Sequence, residues 1–424
     1  MFSLADFKLR RENLVNLVKQ KFPEVKNGII LFFGNFEQEA IKFRQESSFY
    51  YFTGISEPGT AFSLNLDGTS NFYAANTGQS RAHWIANCID PLTCKPADIG
   101  FDELNYLGEK IKGYEFYPFF DSEEYMNLIS YLREVINKNG KIFTLNPQNQ
   151  RQYFEQRFIL NRINQFLPGF ENSLIDISPI VAKMRRKKSQ KEIEALYKVV
   201  DITILGQEAA IQVIESGKFE NEVQAAIEYV FTVSNCELAF PSIVGSGKNS
   251  TILHYVANNK KMEKNDLVVV DIGAKFEHYC GDLTRTYPVS GKFSKRQREI
   301  YEIVLETQEY IADIARPGLW LSNKEKPDES LNHIAREFLK EKNYEKYFLH
   351  GIGHFLGLDV HDVGDYANPL EPGDVITIEP GIYISQENIG VRIEDNYWIV
   401  EDGVVCLSEH LPKSVDEIEK LMIK

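Results

Sequence analysis

Two stretches of this sequence repeat one pattern: an apolar strand, a short turn and a second apolar strand, with an acidic residue on each arm. The first reads LVVVDIGA (267–274) and then YCGDLTRT (279–286), and the second VITIEPGIYI (375–384) and then IGVRIED (389–395). With a turn at 275–278, Ala274 faces Tyr279 and Asp271 falls opposite Asp282. A turn at 385–388 likewise sets Glu379 opposite Glu394. Opposed residues have β-carbons roughly 4.5–5.5 Å apart, where two ionised carboxylates repel each other unless a proton or a cation lies between them. One such pair has a plain explanation, since aspartates flank turns and glutamates solvate strands. Two pairs inside apolar strands point instead to a cation site.

The stretch HGIGHFLGLDVHDVG (350–364) holds three of the eight histidines. A zincin helix needs His-Glu-x-x-His, and the spacing from His350 to His354 fits, but the glutamate is missing and two glycines intervene. The glycines suit a bent, extended path that approaches a ligand closely. Four carboxylates and one imidazole, with His354 as the candidate, complete an oxygen-rich set for two divalent ions sharing a water, which leaves two histidines for substrate. Arg392 stands two residues before Glu394 on the same strand face, so it can hold a ligand carboxylate by a hydrogen bond. Ser246-Gly-Lys-Asn-Ser250 is not a phosphate loop, because Ser242 stands where Walker A requires glycine and Asn249 where it requires Ser or Thr.

The rest of the chain bounds this reading. At 424 residues and 43% apolar content, two domains with proper cores are expected. A net charge of −14 repels phosphate backbones and anionic lipid, so neither nucleic acid nor a membrane is an expected partner. The start is charged too early for a signal core and no run is long enough to span a bilayer, which makes cytoplasm the expected location. Cysteines 88, 94, 236, 280 and 406 are scattered, without a CxxC pair, and are expected to be reduced packing residues.

The first part reads as an α/β domain. Residues 28–33 form a buried-strand pattern, and Phe62, Leu64 and Leu66 alternate before an Asp67-Gly68 turn. Turn signals near 168–179 and a capping box at Ser189–Glu192 set a domain boundary near 177. Ile193, Leu196, Tyr197, Val200 and Ile204 form the inward face of the helix that follows. The basic residues of 183–191 are expected to be solvated. His83, His278, His333 and His410 match no motif and receive no role.

HGIGHFLGLDVHDVG, VVDIGAKFEHYCGDLTRT, ITIEPGIYI and VRIED occur in the order and spacing of proline-specific metallopeptidases with the pita-bread fold. The chain resembles the aminopeptidase P, or Xaa-Pro aminopeptidase, family. FRQESSFYYFTG (43–54) extends the resemblance to that family's amino-terminal creatinase-like domain. The resemblance implies an α/β creatinase/prolidase-like domain over 1–177 and a pita-bread catalytic domain over 178–424. It makes Asp271, Asp282, His354, Glu379 and Glu394 the ligands of a dinuclear site, with Asp282 and Glu394 bridging. It has His254 and His361 line the substrate and stabilise the tetrahedral intermediate, has His350 shape the proline pocket, and joins Arg392 to Asp271 and Tyr383.

The reaction so implied is hydrolysis of the bond between an amino-terminal residue and a following proline. Water activated by the metals attacks, Glu379 relays its proton, and His361 donates a hydrogen bond where negative charge grows. Manganese is the expected metal from the oxygen-rich set, with zinc, cobalt and iron binding similar ligands. The family resemblance further implies a homo-oligomer, a dimer or tetramer, with Trp84 expected to pack within the chain rather than reach a neighbouring subunit. Prolidase, which shares the ligands but must grip a dipeptide carboxylate, is disfavoured by the absence of arginine from 363–374. Methionine aminopeptidase, which usually lacks the large first domain, is disfavoured too. A metal-free pita-bread protein-binding module is disfavoured by the filled ligand positions.

Overall fold

The computed structural model describes residues 2–38, 40–78, 81–84, 89–111, 121–147 and 153–423; Cys88 lies outside them. The chain forms two compact units, Phe2–Ala182 and Lys183–Lys424, and the division falls inside the helix Ser178–Arg186.

The first unit is built on a six-stranded mixed sheet. Its central strand, Gly28–Phe33, pairs antiparallel with Ala61–Asn65 and parallel with Lys141–Thr144. A strand that is apolar on both faces must be covered on both. On one face Phe32 and Phe62 stack at 5.1 Å, with Phe49 and Phe52 against them. On the other, Ile29, Leu31 and Phe33 cluster with Leu128, Ile129, Leu132, Ile159 and Ile163 from the helices Met126–Asn137 and Phe154–Phe166. The Asp67-Gly68 turn joins Ala61–Asn65 to Ser70–Ala74, with Gly68 at φ 103° and the Asp67 carboxylate accepting from Thr69 N. Trp84 is 69% exposed, which overturns its expected packing role.

In the second unit the strands Ile243–Ser246, Leu267–Ile272 and Leu283–Pro288 form one antiparallel sheet, and Val375–Ile378, Asp395–Val400 and Gly403–Cys406 another. An isolated bridge between Thr284 and Glu394 joins the two acidic units. The helix Gln190–Val213 begins at the expected capping box, with Glu192 Oε2 accepting from Ser189 N and Oγ at 2.9 and 2.8 Å. Ile193, Leu196, Val200 and Ile204 are buried, whereas Tyr197 lies at the edge of that face, 36% exposed.

The second acidic hairpin has the register read from the sequence. Gly381 pairs with Arg392 and Ile384 with Ile389, and Ile378 pairs with Asp395, so Glu379 and Glu394 fall opposite each other where the ladder opens between the two pairings. The first hairpin does not. Leu283 pairs with Ile272, so Asp271 faces Thr284 rather than Asp282. The turn is two residues, not four: Glu277 and His278 both take left-handed backbone, φ 46° and 66°, the conformation of a tight hairpin turn, without the usual Asn-Gly. Because the register moves by two, the faces are preserved, and the two aspartates become diagonal neighbours on one face.

The basic run is also corrected. Arg185, Arg186 and Lys188 are buried and ion-paired instead of solvated.

Candidate metal and substrate site

Three of the four acids sit where strand pairing is interrupted, which lets their side chains converge. Asp282 lies between Tyr279–Cys280 and Leu283–Pro288. Its backbone is held by the Asn396 carboxamide, which accepts from Asp282 N at 3.2 Å and donates to Asp282 O at 2.5 Å. Glu379 follows Val375–Ile378 and Glu394 follows Ile389–Arg392. Behind Glu394 the fully buried Arg285 donates to the Glu394 carbonyl at 2.8 Å and to Asp395 at 2.7 Å.

His354 enters from the glycine-rich stretch, which runs extended beside Val375–Ile378: Thr377 N donates to His354 O and Glu379 N to Ile352 O, at 2.9 and 2.8 Å. A β-carbon at Gly353 would lie 1.9 Å from Thr377 O, so this approach requires glycine. His354 Nδ1 donates to Phe355 O at 3.1 Å, leaving Nε2 to face Asp282 Oδ2 at 3.4 Å and Glu379 Oε1 at 3.6 Å. One ligand atom from each of Asp282, His354 and Glu394 lies within 4.8 Å of the others.

The electrostatics are unbalanced. Burial, and then the charge of the neighbouring acids, pushes Asp282 and Glu394 well above the carboxylate range. Burial also raises Glu379, while His354 and Arg392 pull it back. Arg392 donates to Asp271 Oδ2 at 2.6 Å, to Tyr383 Oη at 2.8 Å and to Thr284 Oγ1 at 3.2 Å, and Thr284 donates to Glu394 Oε2 at 2.7 Å. Asp271 Oδ1 is buried and no donor reaches it. A buried carboxylate oxygen without a donor, in a cluster of four acids beside an imidazole nitrogen that faces two of them, fits a divalent cation, which supplies the missing positive charge without requiring protons.

The remaining histidines flank this cluster. His350 Nδ1 donates to Gly351 O at 2.8 Å, so Nε2 accepts from Tyr383 Oη at 2.8 Å, completing a relay from Arg392. Burial, then Arg392, pushes His350 down to about 3. His361 faces His354 with ring centroids 4.2 Å apart. Although much of its ring is exposed, desolvation and then the nearby His354 and His254 lower it to about 4, so it is neutral at pH 7. His254 is exposed on the loop after Gly247–Thr251. The buried Glu220 anchors that loop on both sides, accepting from Ser246 N and Oγ, Tyr255 Oη and Lys260 N at 2.7–2.9 Å. The stretch set aside as a phosphate loop is thus part of the frame around His254.

Sequence reasoning brought Asp271, Asp282, His354, Glu379, Glu394, Arg392, Tyr383 and His350 to one place. It missed Thr284, Asn396, Arg285 and Glu220. Thr284, Arg285 and Asn396 signal themselves only by lying two or three positions from an acid, Glu220 has no such signal, and their partners are mostly distant in the chain.

Residues 194–401 match the model of metallopeptidase family M24, and residues 7–109 that of the aminopeptidase P N-terminal domain. The Xaa-Pro aminopeptidase of Escherichia coli K12 is 32% identical over 90% of this chain and 89% of its own length. The Xaa-Pro aminopeptidase of Haemophilus influenzae is 39% identical over 59% of this chain, spanning 64% of that protein. The Xaa-Pro dipeptidase of Pyrococcus furiosus is 43% identical over 55% of this chain and 66% of its own. A structure of aminopeptidase P from E. coli with the inhibitor Pro-Leu superposes with a TM-score of 0.82 at 29% identity, covering 99% of this chain and 98% of that one. An amino-terminal α/β domain followed by a pita-bread domain accounts for both units. The chain therefore belongs to metallopeptidase family M24, as a metallo-exopeptidase hydrolase of the aminopeptidase P type.

Proposed function

We propose that this chain hydrolyses the bond between an amino-terminal residue and a following proline in peptides, with two divalent ions, of manganese by preference, held by Asp271, Asp282, His354, Glu379 and Glu394. Asp282 and Glu394 would be shared between the ions, and the catalytic domain is 178–424. The observation that carries the reading is His354 Nε2, bare and directed at two carboxylates, inside a buried acidic cluster with one nearby arginine. The ions, when bound, supply Lewis acidity and make water a nucleophile at neutral pH.

The chain's own groups do the rest. Glu379, beside His354 in the buried cluster, accepts the proton of the attacking water and passes it to the leaving proline nitrogen. His361, neutral at pH 7, donates a hydrogen bond to the carbonyl oxygen as negative charge develops there. The acids receive the free amine of the substrate, His254 lines the substrate beside His361, and His350, fixed by Tyr383, shapes the slot for the proline ring. Arg392 holds Asp271 and Tyr383 in place.

The Pyrococcus relative supports a second reading, dipeptide hydrolysis. Against it, residues 363–374 contain no arginine to grip a free carboxylate. We further propose a cytoplasmic homo-oligomer, a dimer or tetramer, consistent with the exposed Trp84; among the described residues no helix is long and apolar enough to cross a membrane. The test offers Gly-Pro, Gly-Pro-Ala and Gly-Ala-Ala to the manganese-loaded chain and separates products by mass. Glycine should be released from Gly-Pro-Ala, little from Gly-Ala-Ala, and Gly-Pro should be no better than the tripeptide. Cleavage of Gly-Pro alone would replace this reading with the dipeptidase.

A further inference from the structure

The hydrolytic reading leaves one feature of the second unit without a use, the buried part of the basic run. Removing a cation from water costs several kcal/mol unless excellent pairing offsets it. Arg185, Arg186 and Lys188 are all below 7% exposed, and they bind carboxylates on the segment after His354. Arg186 donates to both oxygens of Asp374, at 2.7 and 2.6 Å, and to Pro369 O at 2.7 Å, while Lys188 N donates to Gly373 O at 2.9 Å. These contacts secure the far end of the segment.

The near end is held at Asp362, the residue after His361. Arg185 Nη2 donates to Asp362 Oδ1 at 2.5 Å and to Asp359 Oδ2 at 2.8 Å, and Lys188 Nζ lies 3.4 Å from Asp362 Oδ2. The Lys188 and Asp362 side chains are each 1% exposed. Asp362 N donates to Phe355 O at 2.9 Å. The fit is tight: a β-carbon at Gly357 would stand 2.1 Å from Asp362 Oδ2 and 3.0 Å from Lys188 Cε. His361 itself has no ring hydrogen bond among the described residues, so its aim is set through its backbone and its neighbours.

We propose that Arg185 and Lys188, acting through Asp362, are positioning residues that hold His361 at the carbonyl oxygen of the substrate. The inference rests on the reading of His361 as a hydrogen-bond donor to the developing charge. It gives the basic run a catalytic consequence, because a donor displaced by about 1 Å forfeits much of its effect on the transition state.

The test is a double-mutant cycle on the full, manganese-loaded chain with Gly-Pro-Ala, measuring kcat, KM, bound metal and melting temperature. Lys188→Met should lower kcat by about tenfold or more with a smaller change in KM and unchanged metal content. In a His361→Ala background the same substitution should change kcat by less than about twofold, because the group it positions is gone. Lys188→Arg, which keeps the charge, should restore most of the activity. Arg185→Lys, which keeps the charge and loses the planar guanidinium whose Nη2 reaches both Asp359 and Asp362, should give the same pattern in milder form. It carries the test if Lys188→Met does not fold. Equal losses of kcat with and without His361, or loss of metal in parallel with kcat, would overturn the inference and leave the donor reading intact. If His361→Ala itself left kcat unchanged, the donor reading would fall, and the inference with it.

Discussion

Two buried charge clusters lie in the second unit, and they are built on opposite plans. In the clamp around residues 185–188, three cations meet Asp359, Asp362, Asp365 and Asp374, so each of these acids has a cation against it. In the cluster around His354, Asp271, Asp282, Glu379 and Glu394 share one close arginine, which bonds Asp271. The clamp finds its counter-charges within the chain, so it needs no cation from solution to hold the segment that carries His361. The acidic cluster lacks positive charge, so its folding is linked to whatever cation it binds. Charge balance, more than charge density, separates a scaffold from a ligand site.

This contrast can be broken most sharply at the clamp. Asp374→Asn leaves Arg186 buried without its carboxylate and should destabilise the protein by roughly 3–5 kcal/mol, read by denaturant unfolding. A change below about 1 kcal/mol would mean that water reaches the cluster and the pairing matters little. The equivalent substitution in the acidic cluster should have the opposite sign. In metal-free protein, Asp282→Asn removes a carboxylate whose ionised form the buried acidic cluster disfavours and should raise stability. In loaded protein the same variant should lose metal affinity. Destabilisation of the metal-free form would show that Asp282 is already neutralised by the protein.

The smallest effect is on pH. Asp282, Glu379 and Glu394 have folded-state proton affinities above their unfolded values. In metal-free protein the folded state therefore binds more protons than the unfolded chain between the ordinary carboxylate range and the raised values. Stability then falls as pH rises through that window, by at most about 1.4 kcal/mol per pH unit for each proton retained. Bound metal displaces those protons, so the gap in melting temperature between loaded and stripped protein should widen from pH 5 to pH 8. A constant gap would contradict the unbalanced cluster.

What the sequence disclosed follows the same division. The acidic residues of the cluster were legible because carboxylates inside apolar strands violate local expectation, and the second hairpin announced its turn by length. The first hairpin was misread by two residues because Glu277 and His278 adopt left-handed backbone without a glycine or asparagine to signal it. Its aspartates still converge, since a shift of two preserves the face. The basic run was misread for a different reason: Arg185 and Arg186 find their carboxylates 177 and 188 positions away, and local reading sees the charges without the partners. Thr284 and Asn396 were missed similarly, being ordinary strand residues whose roles exist only once the two halves meet at the Thr284–Glu394 bridge. Trp84 was expected to pack within the chain rather than reach a neighbouring subunit, and it is exposed.

If the acidic cluster is a cation site whose occupants the reaction requires, metal and activity must be lost and regained together. Elemental analysis of the purified chain, dialysed with manganese and assayed on Gly-Pro-Ala before and after chelation, tests it most directly. The account predicts two ions per chain, activity lost on chelation and regained on adding manganese, and a melting temperature lower by about 10 °C in the stripped protein. A fully active sample with no bound metal would contradict it.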